Sequence, residues 1–176
     1  MLTNYGELEF CLAKCLEVVI GDANTAFRAM YRDRGEDRRI NICDTLMRRH
    51  YQQLRLEQPF VETIDQVRYC KTIRNQYAHA WFSWSAVSVG WGAGPHPRQC
   101  TLLLVSLEDA VKSSAGIHAK PKKLPVALLE EQAAYFANAR DWILWLGMNV
   151  EKASGNPIKL PKRPKRSRKP LKWVEP

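Results

Sequence analysis

No run in the 176 residues approaches the roughly eighteen uncharged apolar residues that a membrane span requires. The best stretches, Trp142 to Met148 and Leu102 to Val105, are far too short. The first twenty residues carry Glu7, Glu9, Lys14 and Glu17, so no secretory h-region is expected there, and the sequence reads as cytoplasmic. Its five cysteines, Cys11, Cys15, Cys43, Cys70 and Cys100, include no Cys-x-x-Cys pair. Three of them sit at apolar positions of helical patterns, as reduced core thiols do. HExxH, paired DxD acids and a P-loop are all missing, so neither a metal nor a cofactor is expected. A hydrophobic fraction of 45% argues against a wholly disordered chain and suits one domain with some length to spare.

The net charge of +9 is unevenly placed. From Asn156 onward there are eight Lys/Arg and one acid, Glu175, which leaves nineteen basic and seventeen acidic residues in the first 155. The sequence therefore divides into a nearly neutral body, 1–155, and a basic Pro/Lys/Arg-rich tail, 156–176, expected to be disordered unless a partner orders it.

Along the body, Leu8, Leu12, Cys15 and Val19 recur at helical steps; Gly21-Asp22 interrupts, and Ala23, Ala26, Phe27 and Met30 resume the pattern. Arg32 to Arg39 reads as a solvated turn. Ile40, Cys43, Met47, His50 or Tyr51, and Leu54 mark a second long helix, and a third starts near Pro59 and runs to about His79. Trp81 to Val89 and Cys100 to Leu107 are β-like and flank the Gly/Pro-rich stretch Gly90 to Pro97, which predicts an inserted β-hairpin over about 81–107. The glycines Gly90, Gly92 and Gly94 lack the helix that a nucleotide fingerprint needs and read as a loop. Residues 112–125 read as a linker. A last helix, about Val126 to Lys152, carries two apolar rows, Leu129/Phe136/Ile143/Val150 and Leu128/Tyr135/Trp142, which require neighbours on two sides or a subunit contact.

On a wheel of the third helix, Phe60, Ile64, Val67, Cys70, Ile73, Tyr77 and Ala78 share one half, and Arg68, Lys71, Asn75 and His79 form a polar strip along its edge. Arg74 falls near the middle of the apolar arc, where an unpaired guanidinium would be costly to desolvate. It calls for an acid such as Glu7, Glu9 or Asp44, a second subunit, or a phosphate. His79 alone fits either a helix-end hydrogen bond to a carbonyl or a reactive imidazole.

The string Ile73-Arg74-Asn75-Gln76-Tyr77-Ala78-His79 closely resembles the signature of HEPN domains (higher eukaryotes and prokaryotes nucleotide-binding): an Arg, usually followed by Asn or another polar residue, closed by a His after four to six intervening residues. The order of the preceding helical segments is similar too. The resemblance covers about residues 5 to 80 and, loosely, the final helix, while the Trp-rich hairpin is an unmatched insertion. It implies a mainly α, HEPN-like antiparallel helical bundle. Many such proteins are metal-independent endoribonucleases in toxin–antitoxin, phage-defence and RNA-processing systems, and they build one site from two motif copies across a dimer. Carried onto this chain, the resemblance implies that Arg74 binds the scissile phosphate. His79 would act as general acid or base, and Asn75 would orient the phosphate or His79. Expected partners are RNA, a second copy, and an antitoxin or larger complex. The alternative is a non-catalytic interaction or dimerisation module that binds nucleic acid or a ribonucleoprotein through its tail.

Arg68 and Lys71, together with Lys162, Arg163, Lys165, Arg166, Arg168 and Lys169 of the tail, are the candidate nucleic-acid contacts; Pro161, Pro164 and Pro170 keep the tail charges apart. A nuclear-import patch or a solubilising tail would have the same composition. Trp81, Trp84 and Trp91 suit either base stacking or packing of the hairpin against Trp142 and Trp145. If about four tail charges engage RNA, log affinity falls with log salt at a slope of about −3 to −4. Deleting residues 156–176 then flattens that slope in a fluorescence-anisotropy titration.

Overall fold

Helical periodicity in the first fifty residues is realised as three helices with well-defined ends. The computed structural model describes residues 2–86, 100–107, 111 and 121–173. Helix α1, Leu2–Ile20, buries Leu8, Leu12, Cys15 and Leu16. It stops at Gly21, whose φ of 82° is a left-handed closing conformation open to glycine, and the Gly21 N–H donates to the Glu17 carbonyl at 2.7 Å. Asp22 then caps α2, Ala23–Tyr31, its carboxylate accepting the Thr25 N–H at 2.6 Å.

Helix α3, Glu36–Gln53, begins earlier than the apolar pattern suggested. The segment read as a solvated turn ends at Gly35, and Glu36 and Asp37 supply the acidic first turn that a helix N-terminus favours. Asp33 ties the turn together through the Gly35 N–H at 2.9 Å and Arg38 at 2.8 Å. Helix α4, Glu57–Ala78, carries Pro59 in its first turn, as expected. Helix α5, Val126–Ala153, matches the predicted last helix to within a residue.

The chain divides into two units. One comprises Thr3–Lys71 and Phe136–Ser167; the other comprises Thr72–Tyr135 and the segment from Arg168 onward. Helices α4 and α5 each pass from one to the other. In the first unit the core is Leu12, Leu16, Met30, Ile40, Met47, Tyr51, Phe60, Ile64, Phe136 and Trp142, all but inaccessible. The rings of Tyr51 and Phe60 stack with centroids 4.5 Å apart, and Cys15 Sγ lies 2.8 Å from the Tyr51 hydroxyl. Asp44 holds both Arg48 (2.7 Å) and Arg68 (2.9 Å), and Glu9 holds Arg39 (3.2 Å).

The second unit contains an antiparallel sheet in the order β1-β2-β3. Its strands are β1, Ala80–Ala86, β2, Cys100–Ser106, and β3, Lys122–Pro125. The predicted pairing of the two β-like segments is present, with Ala80 opposite Ser106 and Ala86 opposite Cys100. The linker reading of 112–125 is corrected at its end: Lys122 to Pro125 is a third strand, with Leu124 opposite Leu102 and both buried. A lysine- and proline-flanked segment can be a strand here because it lies at the sheet edge and Pro125 is its last residue. The Gly90 to Pro97 loop, Trp91 and residues 112–120 fall outside the described residues, as do the side chains of Trp81 and Trp84. Among the described residues no helix is long and apolar enough to cross a membrane.

Burial pushes the core thiols up from an ordinary value of 9.0, to about 11 for Cys15 and about 12 for Cys43, with Cys70 also raised. Unfolded, these thiols ionise near 9.0; folded, they stay protonated, so the unfolded chain binds fewer protons above that pH and stability falls. The unfolding midpoint, followed by circular dichroism in reducing buffer, should be flat from about pH 7 to 8.5 and drop steadily between about pH 9 and 12. Substituting Cys43 by Ala should shallow that drop.

Candidate active site and basic strap

The Arg-Asn-x-x-Ala-His string occupies the last turn of α4 and the residue after it, where the chain turns from helix to strand. Ile73 and Tyr77 are its buried members, Arg74, Asn75 and Gln76 are half-buried, and Ala78 and His79 are exposed. The His79 N–H still donates to the Asn75 carbonyl at 3.1 Å, continuing the helical ladder, while the His79 carbonyl accepts the Leu107 N–H at 3.0 Å beside the first sheet pair. Both backbone groups of His79 are thereby fixed, one by the helix and one at the sheet. Its ring remains exposed.

Arg74 does not sit in the core, as the wheel predicted. The buried face narrows to Ile73 and Tyr77 over this last turn, so the guanidinium emerges at the margin and its Nη1 donates to Asn75 Oδ1 at 3.1 Å. The acids named as its partners serve other arginines: Glu7 pairs with Arg140 (3.1 Å), Glu9 with Arg39, and Asp44 with Arg48 and Arg68. Arg74 and Asn75 thus form a joined pair of polar groups, and His79 shares Asn75's helical register one turn on.

The two residues inside the motif have a different occupation. Gln76 Nε2 donates to the Lys172 carbonyl at 2.9 Å. The Tyr77 hydroxyl donates to Gln132 Oε1, and Gln132 Nε2 donates to the carbonyls of Leu171 (2.8 Å) and Lys172 (3.0 Å). Tyr77 also stacks on Phe82, with centroids 6.3 Å apart and an interplanar angle of 16°. Burial pushes the Tyr77 phenol up to about 12, so it remains a donor at any neutral pH. Pro170 is buried, and the Lys122 ammonium lies 4.0 Å from the centre of the Trp173 ring.

These contacts correct the expectation of a free tail. Residues 156–173 have no regular secondary structure, yet they run as an extended strap anchored by side chains. In the first unit the anchor is Arg166. Its guanidinium lies 3.6 Å over the centre of the Trp142 ring and donates to Pro59 O (2.7 Å), Thr63 Oγ1 (3.0 Å), Gln66 Oε1 (3.0 Å) and Glu62 Oε2 (3.2 Å). Arg163 lies 5.2 Å from the Trp142 ring centre and 5.7 Å from that of Trp145. Asn138 donates to the Lys165 carbonyl (2.8 Å) and accepts the Ser167 N–H (3.3 Å). The aromatic row on α5 that called for a second neighbour therefore meets the chain's own arginines.

The candidate nucleic-acid contacts separate accordingly. Arg166 faces inward, Arg68 is held by Asp44 and Asp65, and Lys71 is held by Asp37. Lys162, Lys165, Arg168 and Lys169 are exposed, as is Arg163 above its two tryptophans. Composition did not reveal Gln132 or Asn138, the helix amides that grip the strap; the signal for Gln132 was an amide at a fully buried position of α5.

Among the described residues no three His, Cys, Asp or Glu side chains group to hold a metal. A groove of about 290 Å³ between α1 and α5 is lined by Phe10, Cys11, Cys15, Ile143, Leu144 and Met148. Burial raises both of its thiols, which makes them poor nucleophiles. Compared with protein-family models, curated proteins and solved structures, the chain shows no significant match to any.

Arg166→Ala should release the middle of the strap and remove the donors that Gln66 Oε1 and Thr63 Oγ1 receive from it, at a cost of about 1–3 kcal/mol in chemical denaturation. Trypsin should then cut between residues 159 and 169 markedly faster than in the parent protein, read by intact-mass spectrometry. Equal cleavage rates would show that Arg166 does not hold the strap.

Proposed function

We propose that this chain is a HEPN-like RNA-binding protein that cleaves single-stranded RNA without a metal, as a homodimer, in the cytoplasm and in a toxin or defence setting. The observation that carries the reading is the last turn of α4, where Arg74 and Asn75 are joined at 3.1 Å at the surface margin and the His79 ring is exposed. In this reading the Arg74 fork holds the scissile phosphate and stabilises the charge that develops on it. His79 takes the proton of the ribose 2′-OH or returns one to the leaving 5′ oxygen, and Asn75 fixes the guanidinium in register. The backbone bonds of His79 to Asn75 and Leu107 support this role, because they fix the position from which the ring projects. An antitoxin or a larger complex restrains the activity.

A second reading, a non-catalytic module, has one observation in its favour. Gln76 of the motif grips the carbonyl of Lys172, and its neighbour Tyr77 bonds Gln132, which grips the same strap, so part of the string serves the chain's own architecture.

Purified protein incubated with single-stranded RNA should release fragments in the presence of EDTA. His79→Ala should lower the rate by about 10²–10⁴-fold, and Arg74→Ala should abolish cleavage. Expression of the parent protein should slow host growth, and His79→Ala should not. Cleavage that survives both substitutions overturns the catalytic reading and leaves the module.

A further inference from the structure

Helix α2 presents a surface that the reading above does not use. Phe27 and Tyr31, one turn apart, hold their rings within 12° of parallel, with centroids 6.0 Å apart. Phe10 of α1 extends the row, 6.1 Å from Phe27. Rings this far apart do not cover one another, and Phe10 and Tyr31 are 54% and 41% exposed. Arg39 lies 4.9 Å from the centre of the Tyr31 ring while paired with Glu9, which fixes that ring from its inner side.

Arg28 and Arg32, also one turn apart, line an open basin together with Phe27 and Tyr31, and Arg34 follows in the next turn. All three arginines are exposed, and among the described residues no acid pairs with any of them. The nearby carboxylates are committed: Asp22 caps α2, Asp33 binds Arg38 and the Gly35 N–H, and Glu9 binds Arg39. Positive charge is thus unneutralised beside a row of open aromatic surface. A helix whose outer face were merely solvated would not place three large rings in contact there.

We infer that this face of α1 and α2 binds a single-stranded nucleic acid, with bases on Phe10, Phe27 and Tyr31 and phosphates on Arg28, Arg32 and Arg34. The chemistry is the pairing of stacking platform and cationic track: any unpaired base offers a π-face to the rings, and a polyanion matches the three free guanidinium groups. Duplexes are disfavoured because their base faces are already stacked. The site lies in a different unit from Arg74 and His79 and does not depend on their role. In a protein that also cleaves RNA it would hold a strand while the reaction proceeds elsewhere.

The test is fluorescence anisotropy with a short labelled oligouridylate, in the absence of divalent metal. Phe27→Ala and Tyr31→Ala should each weaken binding about fivefold or more. Arg28→Gln with Arg32→Gln, which removes exposed side chains only, should weaken binding and lower the slope of log affinity against log salt by about 1.4, two phosphates at about 0.7 each. The readout is binding and not turnover, so a failed cleavage assay does not touch this result. The inference is overturned if the double arginine variant keeps the parent's affinity and slope, or if a duplex competes as well as the single strand. Binding of phosphatidylserine vesicles that is lost in these variants while oligouridylate binding is unchanged would equally overturn it.

Discussion

The guanidinium of Arg166, 3.6 Å over the centre of the Trp142 ring and bonded through all three of its nitrogens to Pro59, Thr63, Gln66 and Glu62, is the interaction on which the placement of the C-terminal segment in its unit depends. Gln66 and Thr63 are polar groups buried on α4, and burial without partners would destabilise the helix at its middle. Arg166 supplies donors to both in one planar group, which a lysine could not do. The strap is therefore part of the polar accounting of the core, and its charge is a poor guide to its role.

That inversion explains how far the sequence could be read. The helices were legible because their periodicity reflects one-sided burial: Leu8, Leu12 and Cys15, or Ile40, Cys43 and Met47, lie where the spacing puts them. Caps sharpened the ends, as at Gly21-Asp22. The strap was not legible, because its docking runs through backbone carbonyls of Lys165, Leu171 and Lys172 received by the amides of Asn138, Gln132 and Gln76. Carbonyls are the same in every residue, so composition carries no trace of which ones are used. Strand β3 hid for a related reason, since an edge strand of four residues needs little β-propensity.

At the motif, the sequence placed Arg74, Asn75 and His79 on one helix end correctly, and it overstated the burial of Arg74. A helical wheel assumes that the surrounding core continues along the whole helix. Here it tapers, with Ala78 exposed one turn beyond the guanidinium. The taper leaves the guanidinium half-buried at the margin, where its Nη1 bonds Asn75. The α1–α2 face went unnoticed for the opposite reason: Phe27 fitted an apolar pattern, and only the neighbouring ring positions show that the pattern continues outward past the core.

Cys11, Cys15, Cys43 and Cys70 are all reduced, buried and held protonated by their surroundings. Cys11 and Cys15 line the groove beside α5, whereas the sulfurs of Cys43 in α3 and Cys70 in α4 are wholly inaccessible, and an alkylating reagent can reach those two only when their own helices open. The protein thus carries built-in clocks for local opening, and the order in which those two sulfurs become modified reads out which of the two helices loosens first.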